Sequence, residues 1–585
     1  MAAPWKAQEC QSGVDVELSE RAVTEVAAPG ETLRPRDRAA SWVVGVGVLL
    51  VYVGSFASVP TSDGLSFIAS VERALRTGQL PIISNAPFSY YLAFVLKRAF
   101  IAAGVEFPTL WVFQGLNAAA TALGAVAFYR ALRLFGGRPF WAFTGTMLVM
   151  TSYGVWYFAN GEVHHVALAI LLLLFYRVTA LRRKVGGPVP YTSLIGLGLL
   201  NAIAVFFHQE HFLFGLVVVT LLMVGRPWRR GLRESLVYAA AGSAWTFLLI
   251  ALVGRFLAGA RTVRDIAAWY FWQLGYLVRD YTPEPLWVIA ARLVKGELTA
   301  FLYGVQVISD ALRNPALWRI GVVRAFSTLT VLALLVAAAL VSVAWRERRR
   351  LTGDLRALAA AAIVWLLAYP ILLSWYFPAV TEYYLKTVPP LVLLVVLGPI
   401  ARERADLTSR WLRTAAALLL ALVVAVNAAS AIVPWYRYGL MRERVAALTA
   451  PIFRPGDLAV STESGLDAVV DDRLDRLEVK NLLYLEGKAR GFGALGAEID
   501  ARLRGGRRVF LYNMIPSRWA LEGLNAPDRN PYRDRYDTQD FEALLAELGA
   551  RYALVPILTY WEESKEPLYL FGRHLDPLFE VRKRS

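Results

Sequence analysis

The chain has 585 residues, 57% of them hydrophobic, with a mean hydropathy of +0.44 and 18 tryptophans; this excludes an ordinary soluble enzyme and leaves room for many membrane spans. Its net charge of +16 does not point to nucleic acid, because most of the basic residues flank apolar runs, where they set the orientation of a membrane protein. A single cysteine, Cys10, excludes a disulfide framework and a thiolate metal site.

Residues 1–40 contain no basic stretch running directly into an apolar core, so they read as a disordered cytoplasmic tail without a cleavable signal. Apolar runs near 41–59, 109–129, 140–158, 163–181, 191–207, 211–225, 235–257, 320–345, 357–375, 384–400 and 411–433 predict about eleven spans. Helix is the expected form, because it satisfies every backbone polar group within the segment. The clusters Arg130/Arg133/Arg138, Arg182/Arg183/Lys184, Arg226/Arg229/Arg230, Arg346/Arg348/Arg349/Arg350 and Arg402/Arg404/Arg410 then share the cytoplasmic side with Arg34/Arg36/Arg38. The alternation closes only if 87–103 does not cross. Its central Lys97-Arg98 would cost several kcal/mol at a bilayer centre, so an interfacial helix is expected there.

The remaining connections, and everything after about residue 434, fall on the exoplasmic side, where functional residues are to be sought. The first loop reads TSDGLSFIASVERALRTGQLP from Thr61. It predicts a helix with Phe67, Val71 and Leu75 on one face, Arg73 and Arg76 on another, and Gly78 at its end. Asp63 there suits either a helix cap or a carboxylate held at the membrane edge as a base or metal ligand. The next turn, NGEVHH, supplies Glu162, His164 and His165, and the turn within FFHQEHF supplies His208, Glu210 and His211. Four of the five histidines thus gather at neighbouring helix ends, a donor set suited to Zn or Mn, with Mg a further option, though without a defined zinc spacing. Phosphate contact and simple rim packing are the other readings of these histidines.

Residues 258–319 carry the aromatic run Trp269-Tyr270-Phe271-Trp272 and suit interfacial helices, acting as a lid or an aromatic belt. Arg261 and Arg264 at their start are candidate phosphate ligands. In FPAVTEYYLKTVPPLVLL, Lys386 sits just inside a span beside Glu382, Tyr383 and Tyr384; it either snorkels to the interface or fixes an anionic phosphate. Past Pro434 the strand-like runs 456–462, 508–514 and 551–557 and amphipathic helices at 494–504 and 538–548 predict a soluble α/β domain over 434–585. No Walker or GxGxxG phosphate loop occurs, which disfavours a nucleotide-driven motor.

The order of span, short spacer, Asp63, amphipathic helix, Gly78 and Pro81, then APFSYYLAFVLKRAF and a further span, resembles the GT-C superfamily of membrane glycosyltransferases, which includes the protein O-mannosyltransferases of glycosyltransferase family 39 and lipid A aminoarabinose transferases. The resemblance covers roughly 41–433 and implies a polytopic α-helical GT-C module, with interfacial helices at 64–103 and 258–319, preceding the α/β domain. It implies transfer of a sugar from a polyprenyl-phosphate donor to a protein, lipid or polysaccharide acceptor at the exoplasmic face of a bacterial inner membrane. Asp63 would be the catalytic base, Glu162 the acidic residue of the second exoplasmic loop, and Lys386 the cation that holds the lipid phosphate. Gly64 stands where many members carry a second acidic residue. The alternatives are a polysaccharide polymerase or ligase acting on lipid-linked glycans and, from another class, a transporter. A transporter calls for polar residues near mid-span and paired repeats, whereas the polar residues here collect at helix ends.

Overall fold

The structure, a computed structural model, describes residues 33–57, 62–78, 80, 86–161, 164–184, 188–279, 285–313, 315–319, 321–351, 353–376, 381–404, 410–433, 436, 451–454, 456–461, 478–481, 491–512, 548–560 and 575–584. Each expected span has a helix in its place: Pro35–Val53, Thr109–Leu134, Pro139–Met150, His164–Lys184, Tyr191–Phe207, Phe214–Met223, Trp228–Phe256, Gly321–Arg346, Gly353–Tyr376, Val388–Arg404 and Arg410–Asn427. Six of the described helices are long and apolar enough to cross a membrane unaided: those beginning at Thr109, His164, Trp228, Gly321, Gly353 and Arg410. The others fall short for local reasons. The run 140–158 breaks at Thr151-Ser152 into Pro139–Met150 and the single turn Tyr153–Tyr157, while 211–225 begins with a 3-10 turn, Gln209–Leu213.

Helix starts follow the local chemistry. Pro35, Pro87 and Pro139 occupy the beginning of their helices, where the missing amide costs nothing. Gly78 ends the helix Ser62–Thr77 with a positive φ of 72°, its amide donating to the Ala74 carbonyl at 2.8 Å. The apolar face of this helix behaves as the pattern requires. Phe67, Ile68, Val71 and Leu75 pack with Tyr90 and Ala93 of Pro87–Ala102 and with Leu110 and Phe113, while Arg73 faces out. Lys97 donates to the Phe107 carbonyl and Arg98 is exposed.

The helices share one large core, in which Thr109–Leu134 packs against His164–Lys184 and Pro35–Val53, and Tyr191–Phe207 packs against Trp228–Phe256. At one end of the bundle, arginines at helix ends pair with carboxylates, most of them from other segments. Arg133 meets Asp37 at 2.8 Å, Arg182 meets Asp354 at 3.0 Å, Arg413 meets Glu403 at 2.7 Å, and Glu234 takes Arg226 at 2.5 Å and Arg230 at 3.0 Å. These arginines therefore tie helix ends together as well as marking a side.

The opposite end is joined by neutral amides. Gln114 donates to the Ala57 carbonyl at 2.6 Å, the Ala57 amide donates to Asn160 Oδ1 at 3.1 Å, and Asn117 donates to the Ala159 carbonyl at 3.1 Å. The fully buried Asn427 donates to the carbonyls of Thr151 and Phe301 at 3.0 and 3.1 Å and accepts from the Tyr303 amide at 2.9 Å. It thereby satisfies backbone groups left over at two helix ends.

Farther along, β1 (Leu458–Ser461), β2 (Glu478–Asn481), β3 (Val509–Tyr512), β4 (Tyr552–Tyr560) and β5 (Leu575–Lys583) form a sheet of order β2-β1-β3-β5-β4. β1 runs parallel to β2 and β3, and β5 is antiparallel to both β3 and β4. Helix Gly491–Arg504 lies between β2 and β3 in the chain, as a parallel crossover requires, and packs Ile499 onto Leu458, Val460 and Leu511. The expected strands at 456–462, 508–514 and 551–557 coincide with β1, β3 and β4. The helix expected at 538–548 falls almost wholly outside the described residues, and β2 and β5 were not anticipated by the periodicity.

Asn427→Ala removes three hydrogen bonds from buried backbone groups, each worth about 1–3 kcal/mol when stranded. A clear fall in the melting temperature of the detergent-solubilised protein is expected, larger than for Asn427→Asp, which keeps the acceptor for the Tyr303 amide.

Candidate functional site

The end of the bundle away from the arginine pairs brings together three segments that are remote in sequence. His164 opens the helix His164–Lys184, and Arg182 pairs at that helix's far end. His208 breaks the chain after Tyr191–Phe207: its backbone turns extended (φ −164°, ψ 125°), and the 3-10 turn Gln209–Leu213 then carries Glu210 and His211. Lys386 precedes Val388–Arg404. It is held by a turn in which the Thr387 amide and hydroxyl both donate to the Tyr384 carbonyl, at 2.9 and 2.8 Å. Pro389 and Pro390 follow in the first helical turn, where no amide hydrogen is needed.

Glu210 lies at the centre. Its Oε1 forms an ion pair with the Lys386 ammonium and lies 2.8 Å from His208 Nδ1. Lys386 is 0% exposed, and its Nζ sits 5.3 Å from the Tyr383 ring centroid and 5.7 Å from that of Tyr369. The charge is thus held by one carboxylate and two aromatic faces. The His164 ring stands 4.7 Å from His208 and 5.7 Å from Tyr383, centroid to centroid. His211 Nδ1 is 3.1 Å from the Tyr369 hydroxyl, which orients the ring, while its Nε2 has no hydrogen-bond partner among the described residues. Ligand atoms of His164, His208 and Glu210 all lie within 4.8 Å of one another, so these three residues could hold a divalent ion. His165 is apart from them: its Nε2 is 2.7 Å from the Val155 carbonyl, which fixes the preceding loop.

The other sequence candidates divide. Tyr383 belongs to the cluster. Glu382 has its backbone in the 3-10 turn Thr381–Tyr384, directly beside it. Asp63 has its backbone in the first turn of the helix Ser62–Thr77. Glu162 lies outside the described residues. A Cβ on Gly64 would stand 3.0 Å from the backbone carbonyl of Gly161, so the glycine lets the first turn of Ser62–Thr77 approach that residue backbone to backbone.

Arg261 and Arg264 are exposed at the start of Val263–Arg279, outside the histidine cluster. Their helix opens with a reciprocal cap in which the Thr262 amide donates to Asp265 Oδ2 at 2.9 Å and the Asp265 amide donates to Thr262 Oγ1 at 3.1 Å. That helix does reach the site through Tyr270, whose carbonyl accepts from the Gln209 amide at 3.3 Å.

Two participants escaped the sequence reading. Tyr369 stands in LLAYPILL, where a tyrosine before Pro370 inside an apolar run was the available signal. Glu297, beside Gly296 on Leu286–Phe301, lies close to Tyr384, whose ring packs so tightly on Gly296 that a Cβ there would come within 2.5 Å of it. Glu297 Oε1 is buried without a hydrogen-bond partner among the described residues, and burial raises this carboxyl to about 7.

No family model matches the chain, and no curated protein matches it in sequence. Several solved structures are similar in fold at low identity. ArnT from Cupriavidus metallidurans bound to undecaprenyl phosphate is 13% identical with a TM-score of 0.49, over 92% of this chain and 96% of that one. The oligosaccharyltransferase of Archaeoglobus fulgidus, tethered with an acceptor peptide, is 13% identical with a TM-score of 0.49, over 92% and 74%. The arabinofuranosyltransferase AftD from Mycobacteria is 13% identical with a TM-score of 0.46, over 95% and 40%. All three are GT-C glycosyltransferases, the superfamily that the sequence resembles.

Two outcomes check the site. Glu210→Ala leaves the Lys386 ammonium buried without its carboxylate and is expected to cost about 3–5 kcal/mol, whereas Glu210→Gln combined with Lys386→Met recovers most of it; melting of wild type and these two variants in detergent decides this. Folded Glu297 keeps a proton that the unfolded chain releases between about pH 4.5 and 7, so its burial subtracts stability as pH rises through that window. Glu297→Gln is therefore expected to raise the melting temperature at about pH 8 and to leave it unchanged at about pH 4.

Proposed function

We propose that the chain transfers a sugar from a polyprenyl-phosphate donor to an acceptor hydroxyl or amine at the exoplasmic face of a bacterial inner membrane. The N-terminus would be cytoplasmic and the 434–585 segment would form a separate domain on the exoplasmic side. The carrying observation is the Lys386 ammonium, wholly buried at a helix end beside Tyr369 and Tyr383 and paired, among the described residues, with Glu210. Such a cation has no structural need to be inside the bundle, since a hydrophobic residue of the same length would pack there at lower desolvation cost. Its placement is explained if an anionic phosphate enters the cluster and draws the ammonium from Glu210.

On this reading Lys386 stabilises the negative charge that develops on the departing phosphate, in a site from which water is excluded. Asp63 accepts the proton of the attacking group as that group bonds to the anomeric carbon and the carbon–phosphate oxygen bond breaks. The contact of Gly64 with Gly161 supports a shared role for Asp63 and Glu162, with Glu162 and Glu382 orienting the acceptor. A divalent ion on His164, His208 and Glu210, when bound, would add electrostatic stabilisation of phosphate. The helices of 258–319 would cover the donor, with Arg261 and Arg264 at their exposed start meeting lipid headgroups.

The test is a transfer assay on purified protein in lipid, with a panel of radiolabelled polyprenyl-phosphate sugars and a crude cell-envelope acceptor. Asp63→Asn is expected to lose about 10²–10⁴-fold in rate, and Lys386→Met about 10²–10³-fold, with melting temperature used to confirm folding. Wild-type transfer by folded Asp63→Asn would remove the base assignment, and no transfer from any member of the panel by wild type would remove the donor class.

A further inference from the structure

We propose that Glu210 is a shared cation port: it holds the Lys386 ammonium in the metal-free chain, and it joins His164 and His208 around a divalent transition-metal ion when it parts from Lys386. The inference goes beyond the transferase reading and does not depend on it.

Three observations carry it. First, His164, His208 and Glu210 are all buried, come from two separate turns, and place one ligand atom each within 4.8 Å of the others. Ligands at about 2.1 Å from a tetrahedral ion stand about 3.4 Å apart, so the trio needs adjustments of no more than about 1.4 Å, within reach of side-chain rotation. Second, His164 Nδ1 is buried and has no hydrogen-bond partner among the described residues, a donor left open at the edge of the cluster. Two imidazoles and a carboxylate suit Zn, Co or Mn better than Ca or Mg, which favour all-oxygen shells.

Third, the carboxylate is already engaged: Glu210 Oε1 meets both Lys386 Nζ and His208 Nδ1, so an ion entering the trio competes with the ammonium for the same negative charge. A divalent ion and an ammonium cannot share one buried carboxylate, because their mutual repulsion across a few ångströms in a poorly polarisable interior outweighs the attraction of a single negative charge. The ammonium does not depend on Glu210 alone: the faces of Tyr383 and Tyr369 already stand 5.3 and 5.7 Å from Nζ and still support the cation once the carboxylate turns to the ion. Metal binding and the Glu210–Lys386 pair are therefore alternatives, and Lys386 sets the affinity of the metal site as an internal competitor.

The experiment is a Co²⁺ titration, followed by absorption, of the full chain in detergent with any polyhistidine tag removed and no sugar donor present, paired with the Co²⁺-induced rise in melting temperature. Wild type is expected to bind Co²⁺, Lys386→Met to bind about tenfold tighter or more, Lys386→Arg to bind no tighter than wild type, and His164→Ala and Glu210→Gln to lose binding. Lys386→Met binding no tighter than wild type overturns the exchange, and Co²⁺ binding that survives both His164→Ala and Glu210→Gln overturns the ligand set. Absence of Co²⁺ binding in wild type and Lys386→Met alike overturns both. None of these results bears on whether the chain transfers sugar, so the two readings fail separately.

Discussion

A lysine with no exposed surface, paired with a glutamate inside a bundle of apolar helices, is the constraint around which the rest of this end of the molecule is arranged. Removing either charge from water costs several kcal/mol, and the attraction between them compensates only if nothing displaces one from the other. That condition dictates the neighbours. The faces of Tyr369 and Tyr383 tolerate a cation without presenting a competing donor, and His208 completes the contacts of the carboxylate. Partners from the turn 208–213 and from the turn 381–387 must then be held in fixed register, although more than a hundred residues of chain separate them.

The register is kept from both ends of the bundle by different chemistry. At the arginine end, ion pairs such as Arg182 with Asp354 and Arg413 with Glu403 join helices across segments. Arg182 belongs to the helix that starts at His164, and Glu403 belongs to the one that follows Lys386, so the same helices that carry the site are clamped at their far ends. At the site end the Glu210–Lys386 pair carries charge into the cluster, and neutral amides make joints between segments. Asn160 and Gln114 fasten the chain after Pro35–Val53 to the loop that leads to Glu162, and Asn427 caps two helices at once. Neutral joints leave the field at the cluster dominated by its own ions.

Much of this was legible in the sequence. The apolar runs located a helix in every expected place, and the arginine clusters separated one end of the bundle from the other, because both signals are local and need only about 20 residues to be read. The gathering of His164, His208, Glu210 and Lys386 on one end followed from the same alternation. What the sequence did not disclose was pairing. Nothing near Lys386 says that its partner is Glu210, and Tyr369 carried only the weak mark of a polar ring before Pro370. The start of the helix that carries Arg261 and Arg264 is set locally, by the Thr262–Asp265 cap. His165, indistinguishable from His164 in the pattern, is turned to the Val155 carbonyl by helical geometry, since adjacent residues on a helix face different ways.

Gly64 shows how a departure from a familiar pattern can be a requirement of packing. A second acid at this position would supply another charge, but any side chain there would press on the backbone of Gly161 at about van der Waals contact or closer. The glycine gives up that charge for a close approach to Gly161, and the Ala57–Asn160–Gln114 hydrogen bonds fix the chain within one residue of Gly161.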